Sequence, residues 1–325
     1  VGDRALESNT TGATNTSVGG VSLKSNTTGD NNTACGYYAL NANTTGTRNI
    51  AIGAEALDAS VGVNDNVAIG YQAMTSSTGG GVSANTGKQN IAIGSYALKS
   101  LNSTSSGDSI DNVAIGVEAM ESATSAYRNV AIGYRAFELN QTQNNTVAVG
   151  WYALRESVSG GSNTALGHYT LTRTTTGASN TAVGNATLQY NTTGSYNTGV
   201  GHRALDQATT ADGNTAVGYQ ALYLNTTGAS NTAIGVGALD ANTTTNNNTA
   251  VGYGALGENT ASNNTALGNN ALAINTTGTV NAAVGYNALG ANTTGTYNTA
   301  MGAYALDANT TSNSNTAFGY GSLSS

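Results

Sequence analysis

The sequence predicts an all-β protein, a parallel β-solenoid or β-roll of about 18 coils of 17 residues. Three observations carry that prediction. The pentapeptide Asn214-Thr215-Ala216-Val217-Gly218 returns along the whole chain, and fifteen of the eighteen intervals between its glycines are 17 residues long. The residue before each glycine and the residue four after it are apolar in every unit. The residues leading to the glycine alternate Thr, Val or Ile with Ala and then a large aliphatic, which is the period of a strand. With 43 glycines, no proline and many Asn and Thr, a helical reading of this period is unfavourable.

Each segment of the unit has its own reason. The three residues before the glycine read as a short strand. The Ala-Leu step after it, as in Ala221-Leu222, reads as a second short strand. Between them the recurrent N-T-T-G, as in Asn225-Thr226-Thr227-Gly228, reads as a polar corner, because Asn and Gly tolerate positive φ. The two apolar columns read as one continuous core, exemplified by Val183, Val200, Val217, Ile234 and Val251 before the glycine and Leu188, Leu205, Leu222, Leu239 and Leu256 after it. The Ala column then points the other way, and apolar residues on both faces of the strand imply a further packed surface and hence an oligomer. Asn stands four before the glycine in 17 of 18 units, Thr146 being the exception, and Asn180, Asn197, Asn214, Asn231 and Asn248 are expected to form an amide ladder. The same columns create N-x-T sequons at Asn191, Asn225, Asn275 and Asn292, which makes glycosylation a weak inference from the sequence.

Composition narrows the function classes. Net charge is −7, and all ten Lys and Arg lie at or before Arg203, so no basic patch exists to hold a phosphate backbone and nucleic acid is not expected as a partner. No apolar run is long enough to cross a membrane as a helix. Cys35, the single cysteine, stands in the column before the glycine and is expected to be buried there as a small hydrophobe. The whole of residues 1–325 reads as one repeat domain. It opens at Val1-Gly2 and stops at Leu323-Ser324-Ser325, both inside a unit, so it reads as part of a longer or processed chain, uncapped at both ends and open to end-to-end stacking.

No pair of carboxylates recurs beside a base or nucleophile, and no phosphate loop is present, so neither catalytic residues nor a cofactor or metal site is expected. His168 and His202 follow a unit glycine in a column shared with Tyr37, Tyr71, Tyr134, Trp151, Tyr219, Tyr253, Tyr286 and Tyr320, and are expected to stack there. The repeat is broken at residues 71–93 and 95–115, which carry seven and five extra residues. These neighbouring enlarged coils should protrude together. Loops on a rigid scaffold often bind, so Ser77, Thr78, Val82, Lys88, Asn102, Asp108 and Asp111 are the candidate surface-contact residues.

The motif N-x-[VIT]-A-[VI]-G, as in Asn66-Val67-Ala68-Ile69-Gly70 and Asn112-Val113-Ala114-Ile115-Gly116, resembles the head repeats of trimeric autotransporter adhesins. The 17-residue form with A-L and N-T-T-G is similar to repeats of bacteriophage tail fibres. The resemblance covers essentially the whole chain and implies a left-handed roll, three chains side by side, and an extracellular place on a virion or cell surface. It implies no particular ligand, so a cell-surface glycan or protein receptor is open. The unit is longer than the usual adhesin head unit, and neither a heptad stalk nor an anchor barrel is present. The expected function is a non-catalytic shaft or head of a homotrimeric fibre. The alternatives are an ice-binding solenoid, a self-stacking filament subunit, or a polysaccharide-processing spike whose clustered acids are not found.

Overall fold

In a computed structural model, residues 2–75, 78–79, 87–103 and 109–324 are described. The chain is an all-β parallel solenoid with no helix among those residues, and it divides into two compact units, Val1–Leu166 and Gly167–Ser325. The first unit carries nine three-residue strands from Thr16–Val18 to Thr164–Leu166; the second carries nine from Thr181–Val183 to Thr316–Phe318. Within each unit successive strands pair in parallel and in register, Thr198 with Thr215, Gly199 with Ala216 and Val200 with Val217. Each 17-residue step is therefore one turn of backbone, and the aliphatic before each glycine lies directly above its counterpart. The 16-residue step from Gly252 to Gly268 keeps this register, with Thr249 opposite Thr265, so the deletion is absorbed in the corner.

Pairing extends well beyond the strands. Around one coil, Gly218 N–H donates to Val200 O at 2.8 Å, Gln220 to His202 at 3.0 Å, Leu222 to Ala238 at 2.9 Å and Thr226 to Thr243 at 2.7 Å. Nearly every side of the turn thus finds its backbone partners in the coil above or below, as buried amides require. The Ala-Leu step shares this pairing but is not a strand. Gln220 and Leu222 adopt φ of 55° and 52°, and Ala221 and Leu222 are both fully buried. Consecutive side chains of an extended strand point to opposite faces. Two left-handed residues per corner turn both inward, and the inter-coil hydrogen bonds hold a conformation that non-glycine residues otherwise avoid.

The unit glycine is needed for a different reason. Gly218 has φ of 139°, and a Cβ there would meet the carbonyl oxygen of Gly235 at 2.5 Å. The backbone of the next coil occupies the space a side chain would take.

The core differs from the sequence expectation in one half. Leu188, Leu205, Leu222, Leu239 and Leu256 are fully buried, as expected. Val183, Val200, Val217, Ile234 and Val251 are not core residues. They stand on the outer face of the strand, Ile234 being 40% exposed, while the intervening Ala182, Ala216, Ala233 and Ala250 are fully buried. The Leu of the opposite corner fills the coil, and what remains under the strand is the size of a methyl group. One coil is consistent with this limit, although Thr170 takes the same corner place while Ala182 keeps its methyl. Where Thr187 replaces the usual Ala of the corner, Gly199 replaces the usual Ala of the strand, and a Cβ on Gly199 would lie 2.6 Å from Thr187 Cγ2. Cys35 shares the outward column and is exposed rather than buried.

Two amide ladders line the interior. Asn214 donates its backbone N–H (3.0 Å) and Nδ2 (3.2 Å) to Asn197 Oδ1, and Nδ2 also to Gly228 O at 2.9 Å. Asn197 makes the same contacts to Asn180, and the backbone N–H groups of Asn231 and Asn248 continue the series at 2.9 Å each. Thr146 lacks the amide but keeps the backbone donation, to Asn129 Oδ1 at 3.0 Å. The second ladder is the Asn of N-T-T-G, which the corner reading did not anticipate: Asn275 Nδ2 donates to Asn259 Oδ1 at 2.8 Å and Asn292 Nδ2 to Asn275 Oδ1 at 2.8 Å. Asn191, Asn225, Asn275 and Asn292 are fully buried, so these sequons are closed to a glycosyltransferase in the folded chain.

Candidate functional site

The outward strand face is a continuous surface that the repeat builds within each unit. Its side chains are those one and three before each glycine, because alternate residues of a strand share a face. In six of the first unit's nine strands these are Ile50 and Ile52, Val67 and Ile69, Ile91 and Ile93, Val113 and Ile115, Val130 and Ile132, Val147 and Val149; the other three carry Thr16 and Val18, Thr33 and Cys35, and Thr164 and Leu166. Ile50, Ile52, Ile91, Ile132 and Val147 are between 36% and 39% exposed. In the second unit the position three before the glycine is usually Thr, as in Thr181, Thr198, Thr215, Thr232, Thr249 and Thr265, with an aliphatic two residues on. No residue of these columns is charged. Scattered exposed aliphatics are ordinary, but contiguous uncharged columns of them make this face the candidate interaction surface.

The aromatic ridge stands beside this face, at the first and second residues after the glycine. His202 stacks on Tyr219 with centroids 5.4 Å apart and planes 9° apart, as expected of the column. His168 lies 4.1 Å from Tyr169, and its Nδ1 is 3.1 Å from Asn185 Nδ2. Elsewhere the rings meet edge to face or tilted, as in Tyr71 with Tyr96 at 5.4 Å and Tyr134 with Trp151 at 5.9 Å. These are the geometries that ring quadrupoles favour.

Cations and carboxylates interleave with the rings. Arg135 lies over Tyr134, its guanidinium 5.2 Å from the ring centroid, and is hydrogen-bonded to Glu118. Arg155 lies 5.0 Å over Tyr152 and donates to Glu138 Oε2 at 2.7 Å; Lys99 lies 4.6 Å over Tyr96 and 3.8 Å from Glu121. Glu118, Glu121 and Glu138 come close enough together to share a cation, but Arg135, Lys99 and Arg155 already supply the countercharge. Burial pushes the Glu121 carboxyl up, with Glu118 adding repulsion.

The enlarged coils touch one another through backbone. Thr78–Gly79 and Asn102–Ser103 pair in parallel, Thr78 opposite Asn102. Lys88 is half-buried and Asp111 is exposed with φ of 57°. Lys88 O accepts from Asp111 N–H at 3.4 Å, so these two candidates are brought together through backbone. Ser77, Val82 and Asp108 lie outside the described residues. The outward aliphatic face, by contrast, was read from sequence as core. The available signal was the small, uniform Ala between the large residues.

No family model, curated protein or solved structure matches the chain.

Proposed function

We propose that the chain is a non-catalytic segment of an extracellular homotrimeric fibre, a shaft or head that supports attachment to a surface. The observation that carries this reading is the uncharged aliphatic face along the outside of each unit. It repeats at one strand spacing, ~4.8 Å. A partner that covers every storey must present apolar groups at the same interval. A second and third copy of the chain do so, each burying its own outward columns. The handedness, left-handed, and the number three come with the resemblance of the N-x-[VIT]-A-[VI]-G units to adhesin heads and tail fibres. The ridge and the paired enlarged coils remain outside that contact, free for a glycan or protein receptor on a cell surface. Sedimentation equilibrium tests the assembly: a mass three times the 32.4 kDa chain is expected, and a concentration-independent mass of 32.4 kDa would remove the proposal.

One observation favours a second reading. The outward Thr column of the second unit, Thr181 to Thr265, is in register and regularly spaced, which suits an ice-binding face. Thermal hysteresis in dilute solution would support it, and freezing at the melting point would dismiss it.

A further inference from the structure

The repeat supplies its own template for a site. Among the described residues four cations sit against an aromatic ring and a carboxylate, at two recurring places on the coil. Lys99 and Arg155 occupy the fifth position after the unit glycine, and Arg135 and Arg203 the second. Arg203 illustrates the arrangement in the second unit. Its guanidinium lies 4.6 Å from the centroid of Tyr223, in the following coil, and its Nε donates to Asp206 Oδ2, three residues on, at 3.0 Å. Beyond Arg203 the chain has no Lys or Arg, although aromatics and acids continue.

Where the next cations would stand there is a groove of about 420 Å³. Tyr219 and Tyr253, 50% and 61% exposed, form its walls, and Asp240 and Glu258 line it with carboxylates. Gly237 and Gly254, at the second position of their coils, form its floor. Gly237 precedes Asp240 by three residues, the spacing of Arg203 and Asp206. Backbone geometry does not demand glycine here. Gly237 and Gly254 have φ of 63° and 60°, while Arg203 and Gln220 hold 58° and 55° at the same position. A Cβ on Gly237 would meet only Asp240 Oδ2, at 3.8 Å. The groove thus keeps the spacing of Arg203 and Asp206 with the cation-bearing side chain removed; the place that Tyr223 takes beside Arg203 is Gly257 here, and the rings come from Tyr219 and Tyr253 instead. Burial pushes the Asp240 carboxyl above the usual range, and Glu258 adds to the push.

We propose that this groove is a guanidinium site that takes the arginine side chain of another polypeptide. The guanidinium plane lies against a tyrosine face, and its N–H groups donate to Asp240 and Glu258, as Arg203 does to Asp206. Arginine fits better than lysine because its flat, weakly hydrated head can stack and fork at once. The inference rests on the internal comparison of coils and stands whether or not the chain is a fibre.

Saturation-transfer NMR on the full chain tests it, with acetyl-Gly-Arg-Gly-amide as the probe. Acetyl-Gly-citrulline-Gly-amide, which keeps the shape and loses the charge, and glucose serve as comparisons. The arginine peptide is expected to bind saturably, and the citrulline peptide about tenfold more weakly or worse. Asp240→Asn should weaken the arginine peptide by a similar factor. Gly237→Arg should abolish its binding, because the new side chain fills the groove from within, while the circular dichroism spectrum stays that of the parent. Equal binding of citrulline, undiminished binding by a folded Gly237→Arg variant, preference for glucose, or no saturable signal would each overturn the proposal.

Discussion

The two units share an interior and differ on the outside. Both bury Ala beneath the strand, Leu in the corner and two columns of Asn, and both repeat the same left-handed corner residues. Outside, six of the first unit's nine strands show Ile or Val in both outward columns, as in Ile91 and Ile93, and the other three begin with Thr. The second shows Thr with Val or Ile, as in Thr215 and Val217. The first unit also pairs its carboxylates with Arg and Lys, whereas the second has no cation after Arg203. The backbone therefore constrains only what points inward. In the proposed assembly, two different outward faces would make contacts of different strength along one chain.

The comparison breaks if the interiors are not equivalent. Leu98→Ala in the first unit and Leu222→Ala in the second each remove a fully buried side chain, and each should cost about 2–4 kcal/mol in denaturant unfolding. A difference well beyond that spread would mean the coils are packed differently. The Asn ladder gives the next largest effect. Asn90→Ala and Asn214→Ala each strip a buried amide from the rung below and from a corner carbonyl, Ser109 O and Gly228 O. Each should cost about 1–3 kcal/mol, again alike in the two units.

Outward substitutions should separate the units instead. Ile91→Thr should weaken self-association by about 1 kcal/mol without moving the unfolding of the isolated chain, and Thr215→Ile should strengthen it by a similar amount. Sedimentation velocity over a dilution series reads both. The smallest effect is electrostatic. Burial raises the carboxyls of Asp58 in the first unit and of Asp206 and Asp240 in the second, whereas hydrogen bonding to Arg48 lowers that of Asp65 in the first. For a raised acid the folded state keeps its proton longer than the unfolded state, so stability falls as pH rises from the unfolded value through the folded one. For Asp65 the sign reverses, and stability is lost as pH falls through its folded value. Hydrogen exchange should therefore show the coils around Asp206 and Asp240 better protected near pH ~4 than near pH ~7, relative to the coil of Asp65.

Much of this architecture is legible in the sequence. The 17-residue period fixes the coil, the glycine column fixes the register, and the Asn column reads directly as a ladder because no exposed position needs the same amide 17 times. The inward side of the strand was legible only in the small, nearly uniform Ala column, which hydropathy outweighs. Hydropathy places Val217 inside ahead of Ala216, and only the volume left by Leu222 across the coil reverses that order. The corner Asn was hidden by its frequency in turns, although its return in N-T-T-G at a fixed phase was a usable sign. The groove between Tyr219 and Tyr253 needs residues from successive coils. Its trace in one dimension is the end of the cations at Arg203 followed by glycines at the second position.

Which side of the strand faces inward underlies all of this, and paired charge insertion at adjacent residues tests it most directly. Ala114→Lys and Ile115→Lys place the same ammonium on opposite sides of one strand. Thermal melting followed by circular dichroism should show Ala114→Lys losing several kcal/mol or failing to fold, because the charge enters a closed interior. Ile115→Lys should keep the β spectrum and melt as a folded chain. If Ile115→Lys unfolds the protein and Ala114→Lys does not, the aliphatic column is the core and the outward face described above does not exist.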